Sequence, residues 1–309
     1  MKKEWITELF AEHGMKAAVT SAVHLNELKE QMETLKQKGT FDEAFYRDYF
    51  RYIDYSETER FENVRSLIAV AVPSLPVRLQ FEYQGNSIET VIPPTYVYTE
   101  AEQRAADLME EICADKSYRF QRVRLPAKLL AVRSGLAEYG RNNICYSKEF
   151  GSFQRVLTFC SDMPIETDDW REMTLAEQCE HCGACVRACP SGAIADDRFV
   201  IHAERCITYR NETEYPFPDW LDSGMHNAII GCMKCQTVCP MDKKHRKRST
   251  DRIVFTEDET NALLYCNDFR SLPSTLSQKM EMLNMTEYAN VLARNMKAVF
   301  ANKKNGERT

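Results

Sequence analysis

The sequence predicts a mixed α/β (or α+β) body followed by a compact cysteine-rich domain, and three observations predict it. Amphipathic helical segments alternate with short apolar runs across residues 1–165. A polar, acidic stretch from Asp162 to Thr174 then interrupts that alternation. Beyond it, seven cysteines in two groups, with an eighth standing between them, fall within residues 179–239. The chain accordingly divides into a body over 1–165, a cysteine domain over 166–245, and a C-terminal helical segment over 246–309 that packs back on the body.

The body follows from its periodicities. Trp5, Ile6, Leu9 and Phe10 share one helical face, and Gly14 stops that helix. Ala17 to Val19 reads as a short strand. Leu25, Leu28, Met32 and Leu35 mark a second amphipathic helix closed by Gly39. Phe45, Tyr49, Phe50, Tyr52 and Ile53 make residues 41–55 an aromatic segment that covers a core, ahead of lining a pocket. The continuous apolar run Leu67–Val72, ended by Pro73, suits a strand buried on both faces of a sheet. Residues 81–92 read as a hairpin turning at Gly85-Asn86, and Pro93-Pro94 ends it. Thr99 and Glu102 form a capping box for a helix carrying Ala105, Leu108, Met109 and Ile112. Pro126 opens a further helix that stops at Ser134-Gly135, and Phe153 to Phe159 is a second strand. Near the end, Asn284 caps a late helix whose apolar face is Tyr288, Val291, Leu292 and Val299.

The first cysteine group reads Cys179-x2-Cys182-x2-Cys185-x3-Cys189-Pro190, and the second reads Cys232-x2-Cys235-x3-Cys239-Pro240. The first is the C-x2-C-x2-C-x3-C-P run of bacterial ferredoxins, in which three thiolates hold one [4Fe–4S] cluster and the fourth reaches the other. Short loops aim successive sulfurs inward at one cubane, and each proline ends the winding after its last cysteine. Zinc ribbons use pairs of C-x2-C, which this pattern lacks. The second group has Ile229 where its leading cysteine would stand, and Cys206 is the natural substitute. The crossover rule then gives one cluster Cys179, Cys182, Cys185 and Cys239, and the other Cys189, Cys206, Cys232 and Cys235. Eight thiolates complete two cubanes with no open iron, which suits electron transfer. Gly183, Gly192 and Gly231 supply backbone freedom beside the sulfurs.

Composition bounds the rest. At 309 residues, 44% hydrophobic and 28% charged, the chain is long enough for two globular domains. Its longest apolar run is far too short to span a bilayer. Lys2 and Lys3 lead into Glu4, Glu8 and Glu12, which is no secretory signal. Twelve cysteines without such a signal indicate a reducing compartment, the cytoplasm, rather than a disulfide scaffold. The net charge of -6 offers no global attraction to nucleic acid or anionic membrane. One local exception is Lys243 to Arg248, with five positive charges in six residues. It reads as a solvated loop or a contact with the chain's own acidic surface, ahead of a phosphate-binding loop for a tRNA. Cys113, Cys160 and Cys266 read as small buried apolar residues, and Cys145 as buried filler ahead of a redox or ligand role.

The two cysteine groups, the lone Cys206 and its Arg205-Cys206-Ile207 setting resemble the cluster domain of epoxyqueuosine reductase. That family, related to the reductive dehalogenases, uses cobalamin and two [4Fe–4S] clusters to remove an epoxide oxygen from a modified tRNA base. The likeness extends upstream. Residues 133–143, R-S-G-L-A-E-Y-G-R-N-N, are similar to the family's Gly-Leu-Gly-Trp-x-Gly-Lys-Asn segment, and Phe150-Gly151-Ser152 to its Tyr-Gly-Ser. Leu292-Ala-Arg294-Asn295 looks like a remnant of the family's late Arg-Asn. The departures are specific. The family's general-acid aspartate falls here near Gln121, in a stretch from Phe120 to Pro126 that holds no carboxylate. A glutamine cannot give a proton to a developing alkoxide. The family's Tyr-x-Trp-Gly-x-Asp-Tyr-His segment is replaced by Pro93 to Thr99, and Tyr139 stands in place of its Trp.

The resemblance implies a reductase whose electrons, from a ferredoxin or flavodoxin-type donor, pass the clusters to a cofactor such as cobalamin and a small-molecule substrate. Tyr139, Gly140, Arg141, Asn142, Gly151 and Ser152 would hold that cofactor, with Tyr96, Tyr98 or Tyr139 as proton donor. Residues 140–143 also read as a plain turn with asparagine side chains bonding the backbone. The alternative is an electron-transfer protein that reduces a partner, for example a corrinoid protein. A true epoxyqueuosine reductase acting on tRNA is the weaker third reading, set back by the missing aspartate.

Overall fold

The computed structural model describes residues 4–97, 100–246, 252–266 and 269–306. Tyr98, Thr99, Lys247 and Arg248 lie outside the described residues, and so do the expected cap at Thr99 and the end of the basic run. In chain order the elements begin with α1 (Glu4–Glu12), β1 (Lys16–Ser21), α2 (Leu25–Gln37), α3 (Glu43–Phe50), α4 (Ser56–Arg60) and β2 (Ser66–Pro73). Next come β3 (Val77–Tyr83), β4 (Asn86–Ile92), α5 (Glu100–Lys116), β5 (Phe120–Arg122), α6 (Ala127–Arg133), β6 (Glu138–Tyr139), β7 (Cys145–Tyr146) and β8 (Gln154–Ser161). The cysteine region holds α7 (Ala184–Ala188), α8 (Ile207–Glu212) and α9 (Lys234–Thr237). β9 (Ile253–Phe255), α10 (Glu257–Leu264), α11 (Ser274–Met282) and α12 (Ala289–Gly306) complete the chain. Among the described residues no helix is long and apolar enough to cross a membrane.

Two compact units interleave in sequence. The first comprises Met1–Pro73, Thr99–Gly183 and Asp196–Ile201; the second comprises Ser74–Tyr98, Ala184–Ala195 and His202–Thr309. The first unit is built on a four-stranded sheet in the order β1-β2-β8-β5, antiparallel throughout. The all-antiparallel sheet puts this unit on the α+β side of the expected class. The apolar run Leu67–Val72 is its central strand, and all six residues are buried. Alternation along β2 divides them between two cores. Ile68, Val70 and Val72 pack with Ile6 and Phe10 of α1, Leu108 and Ile112 of α5, and Leu157 and Phe159 of β8. Leu67 and Ala69 pack on the opposite face with Leu28 of α2, Leu129 and Leu130 of α6, and Cys160. The aromatic stretch after Gly39 leads into α3, where Phe45 stacks on Tyr49 (centroids 4.8 Å) and Tyr46 on Phe50 (4.6 Å), with Phe41 tilted against Phe50 from just before the helix (4.6 Å).

The second unit joins β3, β4 and β9 in one sheet, with β3 parallel to β9. The hairpin spans more than the expected 81–92, because Val77 and Leu79 already face its core. Its turn residues are Gln84 and Gly85, at φ 53° and 74°, not Gly85-Asn86. Two successive left-handed residues match the twist of the flanking strands, which sets the turn one residue earlier. Val77, Phe81 and Ile92 share their core with Phe255, Leu263, Met280, Leu292, Val299 and Phe300, so the C-terminal helices cover this hairpin. Ile229 and Ile230 belong to the same core. Asn284 does not cap α12. It is left-handed (φ 56°) after α11, and its side chain donates to the Tyr96 carbonyl (3.2 Å).

Truncating β2 opens a cavity that neither face can close. Ile68→Ala should destabilise the chain by about 2–5 kcal/mol. Urea melts should show a lower midpoint with an unchanged slope.

Candidate iron–sulfur centre

Cys206 occupies the N-cap position of α8, with extended backbone (φ -67°, ψ 131°). The amide and hydroxyl of Thr208 and the amide of Tyr209 all donate to its sulfur. Cys232 receives the amide of Lys234 and the side chain of Asn227 (Nδ2 to Sγ 3.1 Å). The Ser191 hydroxyl lies 3.6 Å from the Cys189 sulfur. Cys189 stands close enough that its thiolate disfavours charge on Cys206 and Cys232, and Cys206 does the same to Cys232. Burial, reinforced by Cys206, pushes the Cys232 thiol up to about 11, and burial likewise raises Cys206. None of the three is in a disulfide. Neighbouring sulfurs that would repel one another as thiolates, yet face polar hydrogen-bonding groups, suit the positive iron core of a cluster. A structural thiol pocket has no use for such donors.

The other cysteines occupy the short turns that their spacing foreshadows. Cys179 ends the 3-10 turn Glu177–Cys179, and Cys182 lies in the turn after it. Cys185 is within α7, Cys235 within α9, and α7 packs against α9. Cys239 precedes the 3-10 turn Pro240–Asp242, and its carbonyl accepts from the Arg246 guanidinium (2.5 Å). Arg246 is thus turned onto the chain's own backbone. Among the described residues no three His, Cys, Asp or Glu side chains converge on a single metal ion.

Side chains from α8 and α12 hold Cys206 and Cys232 together. Asn211 donates to the carbonyls of Ala228 (3.4 Å) and Gly231 (2.9 Å). Asn295 donates to the carbonyls of Asn211 (2.8 Å) and Ile229 (3.0 Å). Both asparagines are fully buried. Arg294 closes the other end, donating to the carbonyls of Arg210 (3.0 Å), Thr213 (2.9 Å) and Tyr215 (2.6 Å). The Arg-Asn pair that looked like a sequence remnant therefore ties the cluster loops to α12. Gly231 is left-handed (φ 64°), and a Cβ there would meet the Tyr96 ring at 2.5 Å.

Tyr96 thus lies in the second unit, buried beside the loop of Cys232. Its hydroxyl donates to Glu212, and its ring stands edge-on to Tyr288 (5.4 Å). Burial raises its pKa well above the usual phenol range, with Tyr288, Cys206 and Cys232 adding to the shift. Burial also pushes the Glu212 carboxyl up to about 8. The sequence reading missed Glu212, Asn211 and Asn227, whose only local signal is polarity close to cluster cysteines.

The remaining candidates form one local structure in the first unit. Tyr139 pairs with Cys145 in the β6–β7 hairpin, and its ring packs edge-on to Phe199 (5.1 Å). Gly140 donates to Ile144 (2.8 Å), and Asn143 donates back to Gly140 (2.9 Å) from a left-handed conformation. A Cβ on Gly140 would meet Tyr146 at 2.6 Å and the Asn142 side chain at 2.7 Å. Asn142 donates to the Tyr146 hydroxyl (2.8 Å) and accepts from the Ile144 amide (3.4 Å). Arg141 reaches the carbonyls of Asp196 (3.1 Å) and Cys179 (3.4 Å). Gly151 pairs with Ser147 through two backbone hydrogen bonds, and Ser152 is buried beside it. Residues 140–143 are the closed turn that the plainer reading describes. Cys145 and Cys160 are buried with thiols raised by burial, as filler should be. Cys266 is only half-buried, just beyond α10, and the side chain of Cys113 lies outside the described residues.

Gln121 is exposed on β5, paired with Cys160 of β8. The nearby Asp54 and Glu57 both bind Arg124, at 3.1 and 2.9 Å. A hydrogen bond from Ser56, with help from Arg124, holds Asp54 below the usual carboxylate range, so it is ionised and no proton donor.

Glu212 makes the pH dependence of stability testable. Its folded pKa, about 8, lies above the 4.5 of a free glutamate, so its stabilising effect is complete below 4.5, falls as pH rises, and is gone above about 8. Glu212→Gln keeps an acceptor for Tyr96 but cannot ionise. The Tm of wild type should fall relative to that of the variant between pH 5 and 8. Parallel Tm curves would show that Glu212 ionises normally.

Residues 178–242 match the family described as a 4Fe-4S double cluster binding domain, which spans all eight cysteines. Epoxyqueuosine reductase of Bacillus subtilis (strain 168) is 30% identical over 119 residues, which is 38% of this chain and 30% of that protein. The Escherichia coli (strain K12) epoxyqueuosine reductase is 29% identical over 144 residues, 46% of this chain and 37% of that one. These alignments therefore span about a third of the relatives' length. Similarity of fold reaches further. A structure of the Bacillus subtilis epoxyqueuosine reductase, described with its catalytic aspartate loop swung out of the active site, superposes with a TM-score of 0.70 at 19% identity, covering 99% of this chain and 82% of that one. An epoxyqueuosine reductase crystallised with an epoxyqueuosine-modified tRNA-Tyr stem loop gives 0.69 at 20% identity, covering 98% and 81%. The chain is thus epoxyqueuosine-reductase-like, with that enzyme's fold along nearly all its length and a double [4Fe–4S] cluster domain at residues 178–242.

Proposed function

We propose that this chain is an iron–sulfur reductase, drawing electrons from a ferredoxin or flavodoxin-type donor and delivering them to a bound cofactor and a substrate of its own. The observation that carries this is that Cys189, Cys206 and Cys232 are electrostatic neighbours, free of disulfides, with hydrogen-bond donors on the Cys206 and Cys232 sulfurs, inside a domain matched as a double cluster binder. Cys235 completes that set by its spacing. The crossover rule assigns the second cluster to Cys179, Cys182, Cys185 and Cys239. The clusters supply one-electron transfer. The chain's part is to bury the sulfurs from water, to place N–H and O–H donors against them, and to keep a protonated Glu212 hydrogen-bonded to Tyr96 beside Cys206 and Cys232.

Two observations shape the substrate. The position expected to hold a general-acid aspartate is Gln121 on a paired strand, and Asp54 near by is held ionised. The reaction therefore draws its proton from another group than the epoxyqueuosine reductases' aspartate, and its substrate differs from the epoxide of their tRNA. Cobalamin is the cofactor that the similarity suggests. Asn142, Arg141 and Gly140 give their polar groups to the chain's own turn, so they do not by themselves make a corrin site. That commitment favours the second reading, an electron-transfer protein that reduces a corrinoid or other partner.

Anaerobically purified chain should contain about eight irons, and Cys206→Ser about four, with one cluster signal lost by electron paramagnetic resonance. Four irons in the wild type would sink the ligand assignment. Titration with cobalamin separates the two readings, since binding supports a reductase with its own substrate and its absence supports the electron-transfer protein. Reduction of an epoxyqueuosine-modified stem loop would overturn the argument from Gln121.

A further inference from the structure

The hydrogen bond between Asn227 and Cys232 joins a neutral side chain to a sulfur that the proposed function assigns to a cluster. Asn227 stands five residues before Cys232, at the start of the buried run Ala228–Ile230. Its Nδ2 lies 3.1 Å from the Cys232 sulfur. Its Oδ1 accepts the amide of Met233 at 2.9 Å. Its backbone carbonyl accepts the Thr90 hydroxyl of β4 at 3.3 Å.

These contacts fix which end of the carboxamide faces the sulfur. A backbone amide can only donate, so the atom facing Met233 is the oxygen and the NH2 must turn to Cys232. The side chain spans Cys232 from both sides, gripping its sulfur and the amide that follows it. The Thr90 contact anchors the Asn227 backbone to the sheet, so the N–H dipole is held in place before any electron arrives. A fixed donor at a cluster sulfur favours the more negative, reduced state, which raises the potential.

We propose that Asn227 sets the reduction potential of the cluster held by Cys189, Cys206, Cys232 and Cys235, by donating a side-chain N–H to the Cys232 sulfur. This rests on the iron–sulfur reading given above. Asn227 is a positioning residue, since it acts through the sulfur of Cys232. Thr208 donates to the Cys206 sulfur and the Ser191 hydroxyl lies against that of Cys189, but each sits within two residues of the cysteine it serves. Asn227 reaches across five residues to its cysteine, with its own backbone tied to β4 through Thr90.

The test is a redox titration of the anaerobic holoprotein, followed by electron paramagnetic resonance, in wild type and Asn227→Asp. Aspartate has the same shape and still accepts from Met233, but it replaces the donor at the sulfur with an acceptor. One cluster should become harder to reduce by roughly tenfold in its one-electron equilibrium, about 59 mV, while the other keeps its potential. Unchanged potentials at full iron content would overturn the inference, and so would equal shifts in both clusters. If the variant loses iron, the unaltered chain with 15N-labelled asparagine side chains decides. Pulsed resonance of the reduced protein should detect 15N coupled to one cluster, and absence of that coupling overturns the inference. Wild-type protein that holds no iron would overturn the parent reading as well, whereas eight irons with unmoved potentials would defeat the role of Asn227 alone.

Discussion

The second unit depends on two buried carboxamides. Asn211 and Asn295 together satisfy the carbonyls of Ala228, Ile229 and Gly231 and that of Asn211 itself. The carbonyls of Ala228, Ile229 and Gly231 belong to an irregular loop with no helix or strand to pair them, and leaving one buried and unpaired costs roughly 1–3 kcal/mol. The loop therefore keeps its shape only where α8 and α12 supply donors. Cys232 follows it directly, and Cys206 begins α8. The same few hydrogen bonds thus fix the distance between two sulfurs far apart in sequence.

Apolar packing then locks this polar arrangement. Ile229 and Ile230 drive the loop into the core made by the β3–β4 hairpin and α10 to α12. The Tyr96 ring fills the space beside Gly231, so a side chain at that position would displace it. Glu212 is the cost of this design, a carboxyl buried deeply enough to hold its proton near neutrality. Burial of Tyr96 and Glu212 as a hydrogen-bonded pair places an exchangeable proton near Cys206 and Cys232, and leaves Tyr96 a different role from the exposed proton donor that tyrosine chemistry alone suggests.

Much of the first unit was legible because its signals are local. The run Leu67–Val72 can hardly be anything but a strand covered on both faces, and it is the centre of the sheet. Pro126 does precede a helix, and the amphipathic stripes of α1 and α2 bury Ile6, Phe10 and Leu28 as their spacing requires. Errors arose where a residue type serves two roles. Asn284 has the chemistry of a cap, yet it takes the other use of asparagine, a left-handed stop whose side chain reaches a distant carbonyl. The hairpin turn moved by one residue because glutamine at φ 53° carries no compositional warning. The Gly140 to Asn143 stretch had a functional and a plain reading, and the internal bonds of Asn142 describe the plain one.

The sequence by itself determined the cluster chemistry. Cysteine spacing is a property of short loops, so a double cluster domain could be read directly, with Cys206 as the natural substitute for the missing leading cysteine. It also determined the absence of a carboxylate between Phe120 and Pro126, since composition needs no fold. Only the tertiary structure decided which side chains surround those sulfurs. Asn227, Asn211 and Glu212 are ordinary polar residues in the sequence, and their partners include Thr90, Tyr96 and Asn295, which lie 137, 116 and 84 residues away. Hydrogen bonds of that span are set by how the core closes, and no local pattern records them.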